Sequence, residues 1–380
     1  MKILFNFSFL KSGGGQNVAL NFLSSLEINN QTYFFLVVKD SLIHKYLLKE
    51  NNSNFKVVNK NPIVRMFWEL LYGNRFIIDN NIQIIYTYFG YSLFPKKIPQ
   101  VIGAADSNLF FPKIKFWNEY KGVHLLIKKM IDFYRVYGLK NANAIIFENS
   151  LLESKCHKLF KIKGITTTIL PSINLMYNQK FIDLNKRHRN ILSNAAKGLY
   201  LCSWQRHKGI MLIPEIASIL KNKGILFNFI LTAPKDMSKM HLEFEALTKK
   251  YKVTEYVSII GSVNKNQLKS LYNQIDIVFL LSTLESFSNN IVEAWAYKKP
   301  LLISDEEWAR GLCSDAAFYV NRTDTNLICN SIENILNDNK SVLKIIQNGK
   351  SKLNELNTIE VKTSMELSFI NKVFKNHQNV

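Results

Sequence analysis

Along the whole chain, short apolar runs alternate with longer stretches whose apolar positions recur every three to four residues. In the first half the runs are KILFNF, YFFLVV (33–38), IQIIYTY (82–88), QVIGAA (100–105) and ANAIIFE (142–148). In the second half they are GLYLCS (198–203), ILFNFILT (225–232), YVSIIG (256–261), DIVFLL (276–281), PLLIS (300–304) and AAFYV (316–320). Runs that are apolar throughout predict strands covered on both faces, and intervening helices predict parallel sheets. Two such series predict an α/β chain of two doubly wound, Rossmann-like domains. Val361, Met365, Phe369 and Val373 recur every four residues and predict an amphipathic C-terminal helix.

The stretch PSINLMYNQKFIDLNKRHRN (171–190) starts at a proline, is polar and basic, and sustains no periodicity. It predicts a first domain over 1–172, a linker over 173–190, a second domain over 191–360 and a terminal helix over 361–380. A length of 380 residues agrees with two cores rather than one. No apolar run reaches the roughly 18 residues needed to span a bilayer. Met1 leads directly into a strand pattern, without the apolar core and cleavage site of a secretory leader. The four cysteines, at 156, 202, 313 and 329, show no pairing or metal spacing, which suits a reducing cytoplasm.

Charge changes the picture for the first half. The chain carries a net +20, and residues 1–200 hold 27 Lys and Arg against 11 Asp and Glu. An anionic partner would suit this surface, and so would a merely solvated one. No nucleic-acid recognition motif accompanies the charge, so nucleic acid is not expected.

Four segments can carry chemistry. In FLKSGGGQNVALNFLSSL (9–26) a strand runs through contiguous glycines into a helix start, which favours a close-lying anion. The glycine spacing is neither the dinucleotide fingerprint nor a P-loop, and a plain flexible turn fits as well. In LYLCSWQRHKGI (199–210), Arg206 and Lys208 follow a strand's carboxyl end, where they could neutralise a diphosphate or sit solvated. In STLESFSNNIVEAWAYKKP, Glu285 is predicted at a strand end and Glu293 in the first turn of a helix. Amides at that helix start suit a phosphate, and the carboxylates suit sugar hydroxyls. Asn290 as N-cap with Glu293 three residues on would instead make a capping box. In VIGAADSN (101–108), Asp106 is either an active-site acceptor or a turn former with Ser107 and Asn108.

Residues 256–305 resemble the retaining glycosyltransferases of family 4, in order from the strand-Gly through Ser-x-x-Glu-Ser-Phe and Glu-Ala-x-Ala to the Lys-Pro-strand. Glu285 and Glu293 have that family's E-x7-E spacing, SGGGQNVALNFL resembles its N-terminal glycine loop and helix, and RHKGI its cationic segment. The resemblance implies the GT-B architecture: two Rossmann-like domains facing a cleft, the C-terminal helix crossing back to the first. It also implies a nucleotide-diphosphate sugar as donor, a substrate rather than a cofactor. Carried over, Arg206 and Lys208 would contact the diphosphate, Glu293 the ribose and Glu285 the transferred sugar. Backbone amides of Ser288, Asn289 and Asn290 would lie against sugar or phosphate, with Gly14 and Gly15 closing the other side. Asp106 would take the acidic catalytic position of the first domain.

The departures are Ala105 where relatives often carry His, Cys202-Ser203 in place of Gly-Arg, and Ser288 where Gly is common. With no Asp-x-Asp at a strand end, no metal is expected; cations and a helix dipole would stabilise the leaving diphosphate. The implied reaction is retaining transfer of a hexose to a lipid-linked or polysaccharide acceptor, as in O-antigen or capsule synthesis. An epimerase of the same fold, or a non-catalytic sugar-nucleotide-binding protein, are the alternatives. The acceptor is expected on the basic first domain. There KFWNEYKGVHLLIKKMIDFYRVYGLK (115–140) places Trp117, Tyr120, Ile127, Ile131 and Tyr134 on one side, near Lys121, Lys128, Lys129 and Arg135. It reads either as a helix lying on an anionic membrane surface or as a core-packing helix with solvated lysines.

Overall fold

Runs rich in Ile, Val, Leu and Phe become strands of two all-parallel sheets. The computed structural model describes residues 1–378 except 12–13, 28–31, 92–93, 95–96, 174–183, 185–191 and 193. In the first sheet the strands are β1 (Ile3–Asn6), β2 (Tyr33–Val38), β3 (Phe55–Val58), β4 (Ile84–Thr87), β5 (Gln100–Ala104), β6 (Ala144–Phe147) and β7 (Ile165–Thr168), in the order β3-β2-β1-β4-β5-β6-β7. The second comprises β8 (Ala196–Tyr200), β9 (Phe227–Leu231), β10 (Val257–Ile259), β11 (Ile277–Leu280), β12 (Leu301–Ser304) and β13 (Phe318–Val320), in the order β10-β9-β8-β11-β12-β13. The expected α/β class with two parallel-sheet domains is borne out. β3 and β7 were not expected from the apolar pattern. They are the outer strands of their sheet, and their side chains are only partly buried.

Each sheet reverses its winding direction beside its first strand. β1 lies between β2 and β4, and β8 lies between β9 and β11. At such a switch point the loops leave in opposite directions, opening a crevice beyond the carboxyl ends of the strands.

The chain divides into two compact units, one of residues Met1–Asn174 with Leu356–Val380, the other of Leu175–Glu355. Of the linker expected over 173–190, all but residues 173 and 184 lie outside the described residues. The helix Ile359–Gln378 belongs to the first unit, where Ile370 and Val373 join a core built on Phe5, Phe22, Phe35 and Tyr86. Its buried face carries Lys362, Thr363, Glu366, Ile370 and Val373, while Val361 and Met365 are exposed. The four-residue spacing read from the sequence misled because each such step overshoots one turn by about 40°, so four residues in that series spread over about a third of the helix.

Lys362 and Glu366 on that buried face are paired, although Glu366 Oε2 finds no hydrogen-bond partner among the described residues. Lys362 Nζ donates to Glu366 Oε1 at 2.7 Å and to the Tyr88 hydroxyl at 3.1 Å. Burial alone would lower the Lys362 pKa, but Glu366 and Tyr88 beside it raise it. Glu148, just beyond β6, is pushed up to about 7 by burial, against the pull of Lys362. All four cysteines are unpaired.

Candidate functional site

The second unit gathers its candidate residues at the β8/β11 switch point. β8 and β11 are parallel neighbours, with Gly198 opposite Ile277. The loops leaving their carboxyl ends therefore meet, although they lie some 80 positions apart in sequence. Gly209 sets how closely. It closes the short turn Arg206–Lys208 with φ of 75°, and a Cβ there would sit 2.4 Å from the Leu281 carbonyl oxygen. Only glycine accepts both that backbone conformation and that approach. The Thr283 N–H donates to the His207 carbonyl at 2.7 Å, sealing the two loops together.

Lys208 and Glu285 are brought into direct contact, Nζ donating to Oε1 at 2.5 Å, with both side chains mostly buried. Glu285 stands in the loop five residues past β11 rather than at its end. The following helix, Asn289–Ala296, has Ser288 as N-cap with no side-chain capping bond. The capping box is thus not formed. Asn290 instead turns its amide to the Leu201 carbonyl at 2.8 Å, tying the helix start to the β8 loop. Ser288, Asn289 and Asn290 occupy the cap and first two helical positions, whose N–H groups have no partner within the helix.

Glu293 lies in the second turn of that helix, not the first, and accepts a hydrogen bond from the Tyr272 hydroxyl at 3.0 Å. Burial lifts its carboxyl to about 7, against the Tyr272 hydrogen bond and the charge of Lys265, which both favour the ionised form. Lys265 is itself lowered by burial. Tyr272 and Lys265 went unnoticed in the sequence, since nothing in LKSLYN or VNKNQ marks a residue that faces a helix 20 positions further on.

Arg206 is not drawn into this group. Its guanidinium is paired with Glu243 of the helix Lys239–Lys250, and both side chains are about two-fifths exposed. Arg322, after β13, donates from Nε to the Leu281 carbonyl at 3.1 Å and adds positive charge felt by His207.

In the first unit, Gly14 and Gly15 open the helix Gly14–Ser25, and Gly13 lies outside the described residues. Asp106 precedes a short turn, Ser107–Leu109, without capping it. Its Oδ1 is 3.0 Å from Arg135 Nη2, and Arg135 also holds Asp132. Burial raises the Asp106 carboxyl while Arg135 opposes that shift. The helix expected within 115–140 runs from Gly122 to Asn141, so Trp117 and Tyr120 precede it. Its exposed apolar stripe comprises Val123, Leu126, Ile127, Met130, Phe133 and Tyr137, whereas Ile131 and Tyr134 are partly covered. No helix among the described residues is long and apolar enough to cross a membrane.

Known proteins place this geometry. Residues 183–352 match the family model described as glycosyl transferases group 1, which takes in most of the second unit. No curated protein matches the chain. Among solved structures, sucrose-phosphate synthase of Thermosynechococcus elongatus superposes with a TM-score of 0.74 at 15% identity, covering 99% of this chain and 100% of that one. Anabaena Alr3699/HepE in complex with UDP and glucose gives 0.73 at 15% identity, covering 98% and 99%. A glycosyltransferase of Rickettsia africae gives 0.71 at 16% identity, covering 99% of each. The chain therefore has the two-domain GT-B fold of these proteins, and the part that holds Lys208, Glu285 and Glu293 is the part similar to the glycosyl transferases group 1.

Proposed function

We propose that the chain is a retaining, metal-independent glycosyltransferase of family 4 that moves a hexose from a nucleotide-diphosphate sugar to a lipid-linked or polysaccharide acceptor of a surface glycan. The observation that carries this reading is the Lys208–Glu285 pair, set at the β8/β11 switch point, with Ser288, Asn289 and Asn290 at the start of the helix that follows, where amides have no partner within the helix. A cation and helix-start amides together favour a diphosphate, and a carboxylate in the same place accepts hydroxyl hydrogen bonds.

In this reading Lys208 leaves Glu285 when the donor arrives and turns to the diphosphate, which needs the positive charge as the glycosidic bond breaks. Glu285 is then free to accept from hydroxyls of the transferred sugar. Glu293, held by Tyr272, takes the ribose hydroxyls. Arg206 adds long-range positive charge, and binds directly only if Glu243 releases it. Gly14 and Gly15 offer close-lying amides and Asp106 an acidic group on the acceptor unit, with Arg135 holding its carboxylate in place. The exposed apolar stripe of the helix Gly122–Asn141 suits peripheral attachment to the inner face of an anionic membrane.

The donor is tested first with UDP and UDP-glucose, because the Anabaena neighbour was solved with UDP and glucose. A panel of nucleotide sugars scored by thermal shift, followed by product analysis with the best binder, tests the whole reading. Stabilisation by one donor and a product of unchanged anomeric configuration are expected. No stabilisation by any nucleotide sugar would refute it.

A further inference from the structure

The helix Pro62–Asp79 of the first unit is apolar on two sides. Its inner side meets the sheet through Ile77, with Trp68 and Phe76 packed against the same core as Leu4, Leu36 and Ile85. Its outer side carries Ile63, Phe67, Leu70, Leu71 and Ile78, each more than half exposed. At 100° per residue these five fall within an arc of about 100°, centred about 130° from the buried Arg65, Glu69, Gly73 and Ile77. A helix that is apolar on both sides has a covering partner on each.

The helix Gly122–Asn141 lies on the same face of the sheet. The connections from β3 to β4 and from β5 to β6 run the same way across it, and right-handed crossovers put both helices on one side. Side chains join them. The Arg65 guanidinium lies 4.0 Å over the Phe9 ring, Phe9 is 5.3 Å from Tyr91, and Tyr91 stacks on Tyr134 at 6.4 Å and 5°. Gly138 permits this, since a Cβ there would sit 2.5 Å from the Tyr91 Cβ. Of the 20 residues of Gly122–Asn141 only Gly138 and Leu139 are buried, so this helix too lacks a cover on its outer side. The two helices hold 13 of the 25 large apolar side chains exposed among the described residues, so the patch is local and not a property of the whole surface.

Charge decides what fits this face. On the first helix Arg75 and Asp79 pair with each other at 3.5 Å, which leaves its outer side apolar and neutral. Lys121, Lys128, Lys129 and Lys140 make the second helix basic, and its Asp132 is held by Arg135. Lys128 Nζ sits 4.8 Å over the Trp117 ring and 4.9 Å over the Tyr120 ring, and Tyr72 and Tyr137 are also exposed. An apolar face rimmed by cations and aromatic rings matches an anionic lipid surface, whereas a second copy would set like charges against each other. We propose that Pro62–Asp79 and Gly122–Asn141 form one two-helix membrane-docking face. Phe67, Leu70 and Leu71 enter the acyl boundary, and the lysines of the second helix meet anionic headgroups. This rests on the membrane attachment proposed above and assigns its main apolar anchor to the helix Pro62–Asp79.

The test is co-sedimentation of the full chain with vesicles of equal parts phosphatidylglycerol and phosphatidylcholine, and with vesicles of phosphatidylcholine alone. Wild type should partition at least about tenfold more strongly to the anionic vesicles. Leu70→Gln/Leu71→Gln should weaken that partition about tenfold or more, a fraction of what burying two leucines is worth. Its melting temperature should not change, because both side chains are exposed and glutamine is a good helix former. Lys128→Gln/Lys129→Gln should weaken binding to the anionic vesicles alone. A leucine variant that partitions like wild type would overturn the anchor and leave attachment through Gly122–Asn141 standing. No binding of wild type to anionic vesicles would overturn both. A dimer seen by light scattering and split by the leucine variant, without vesicle binding, would overturn the lipid and give the face to a second copy. The donor reading is tested separately by nucleotide-sugar binding.

Discussion

Replacing Glu293 by Gln should remove a pH dependence of stability that the wild type carries between about pH 4.5 and 7. The folded carboxyl titrates at about 7 against an ordinary 4.5, because burial outweighs the Tyr272 hydrogen bond and the charge of Lys265. A folded pKa above the unfolded one means that the folded state binds the proton more tightly. Stability is therefore greatest below 4.5 and is lost as pH rises through 7. At about 1.4 kcal/mol per unit, the loss reaches about 3 kcal/mol by pH 8. Glutamine keeps the Tyr272 partner and does not ionise, so the variant should match the wild type at pH 4.5 and exceed it at pH 8. Urea unfolding at pH 4.5, 6, 7 and 8, taken as variant minus wild type, reads this directly. Glu148, whose pKa is also about 7, is common to both proteins and cancels. A difference that stays flat with pH would refute the account of Glu293. Ribose hydroxyls donating to the ionised carboxylate would recover part of this loss, so UDP affinity should rise with pH in the wild type and be weaker and flat in the variant.

Glu285→Gln should slow sugar transfer about a hundredfold while changing UDP affinity less than about threefold, because the contact proposed for it is to the sugar rather than the nucleotide; steady-state kinetics alongside UDP calorimetry separate the two. Gly209→Ala should destabilise the second unit by about 2 kcal/mol or more, from left-handed strain and a methyl 2.4 Å from the Leu281 carbonyl, and should weaken donor binding by shifting Lys208; denaturant titration and thermal shift with UDP check both. Lys362→Met should cost about 3–5 kcal/mol by leaving Glu366 buried without its partner, and adding Glu366→Leu should restore most of that.

All six strands of the second unit could be read from sequence: four lie inside the sheet, and the outer two, β10 and β13, sit in the apolar runs YVSIIG and AAFYV. In the first unit the two misses were the outermost strands. FKVV and ITTT each have a neighbour on one side only and alternate less apolar residues with exposed ones, so they lack the continuous signal of a buried strand. The site divides in a similar way. Glu285, Glu293 and Lys208 stand in local motifs and could be named in advance. Their partners could not, because Lys208 meets Glu285, and Tyr272 meets Glu293, through sheet order and helix packing rather than spacing. The exposed apolar face of the helix Gly122–Asn141 was only partly foreseen for another reason: the helix starts at Gly122, so a phase counted from Trp117 keeps Ile127 but adds the partly covered Ile131 and Tyr134.

The place of the helix Ile359–Gln378 has a consequence for how the protein is made. Its unit begins at Met1, but the segment carrying Lys362, Glu366, Ile370 and Val373 leaves the ribosome only after all of Leu175–Glu355. Domains usually fold as they emerge, the earlier before the later. Here the order is reversed at the finish: the second unit, continuous in sequence, needs no segment beyond Glu355 to close its core. The first must wait at the point where Tyr86, Tyr88 and Glu148 expect their covering helix. A released chain truncated after residue 355 should therefore carry a protease-resistant second unit and a first unit still open to cleavage.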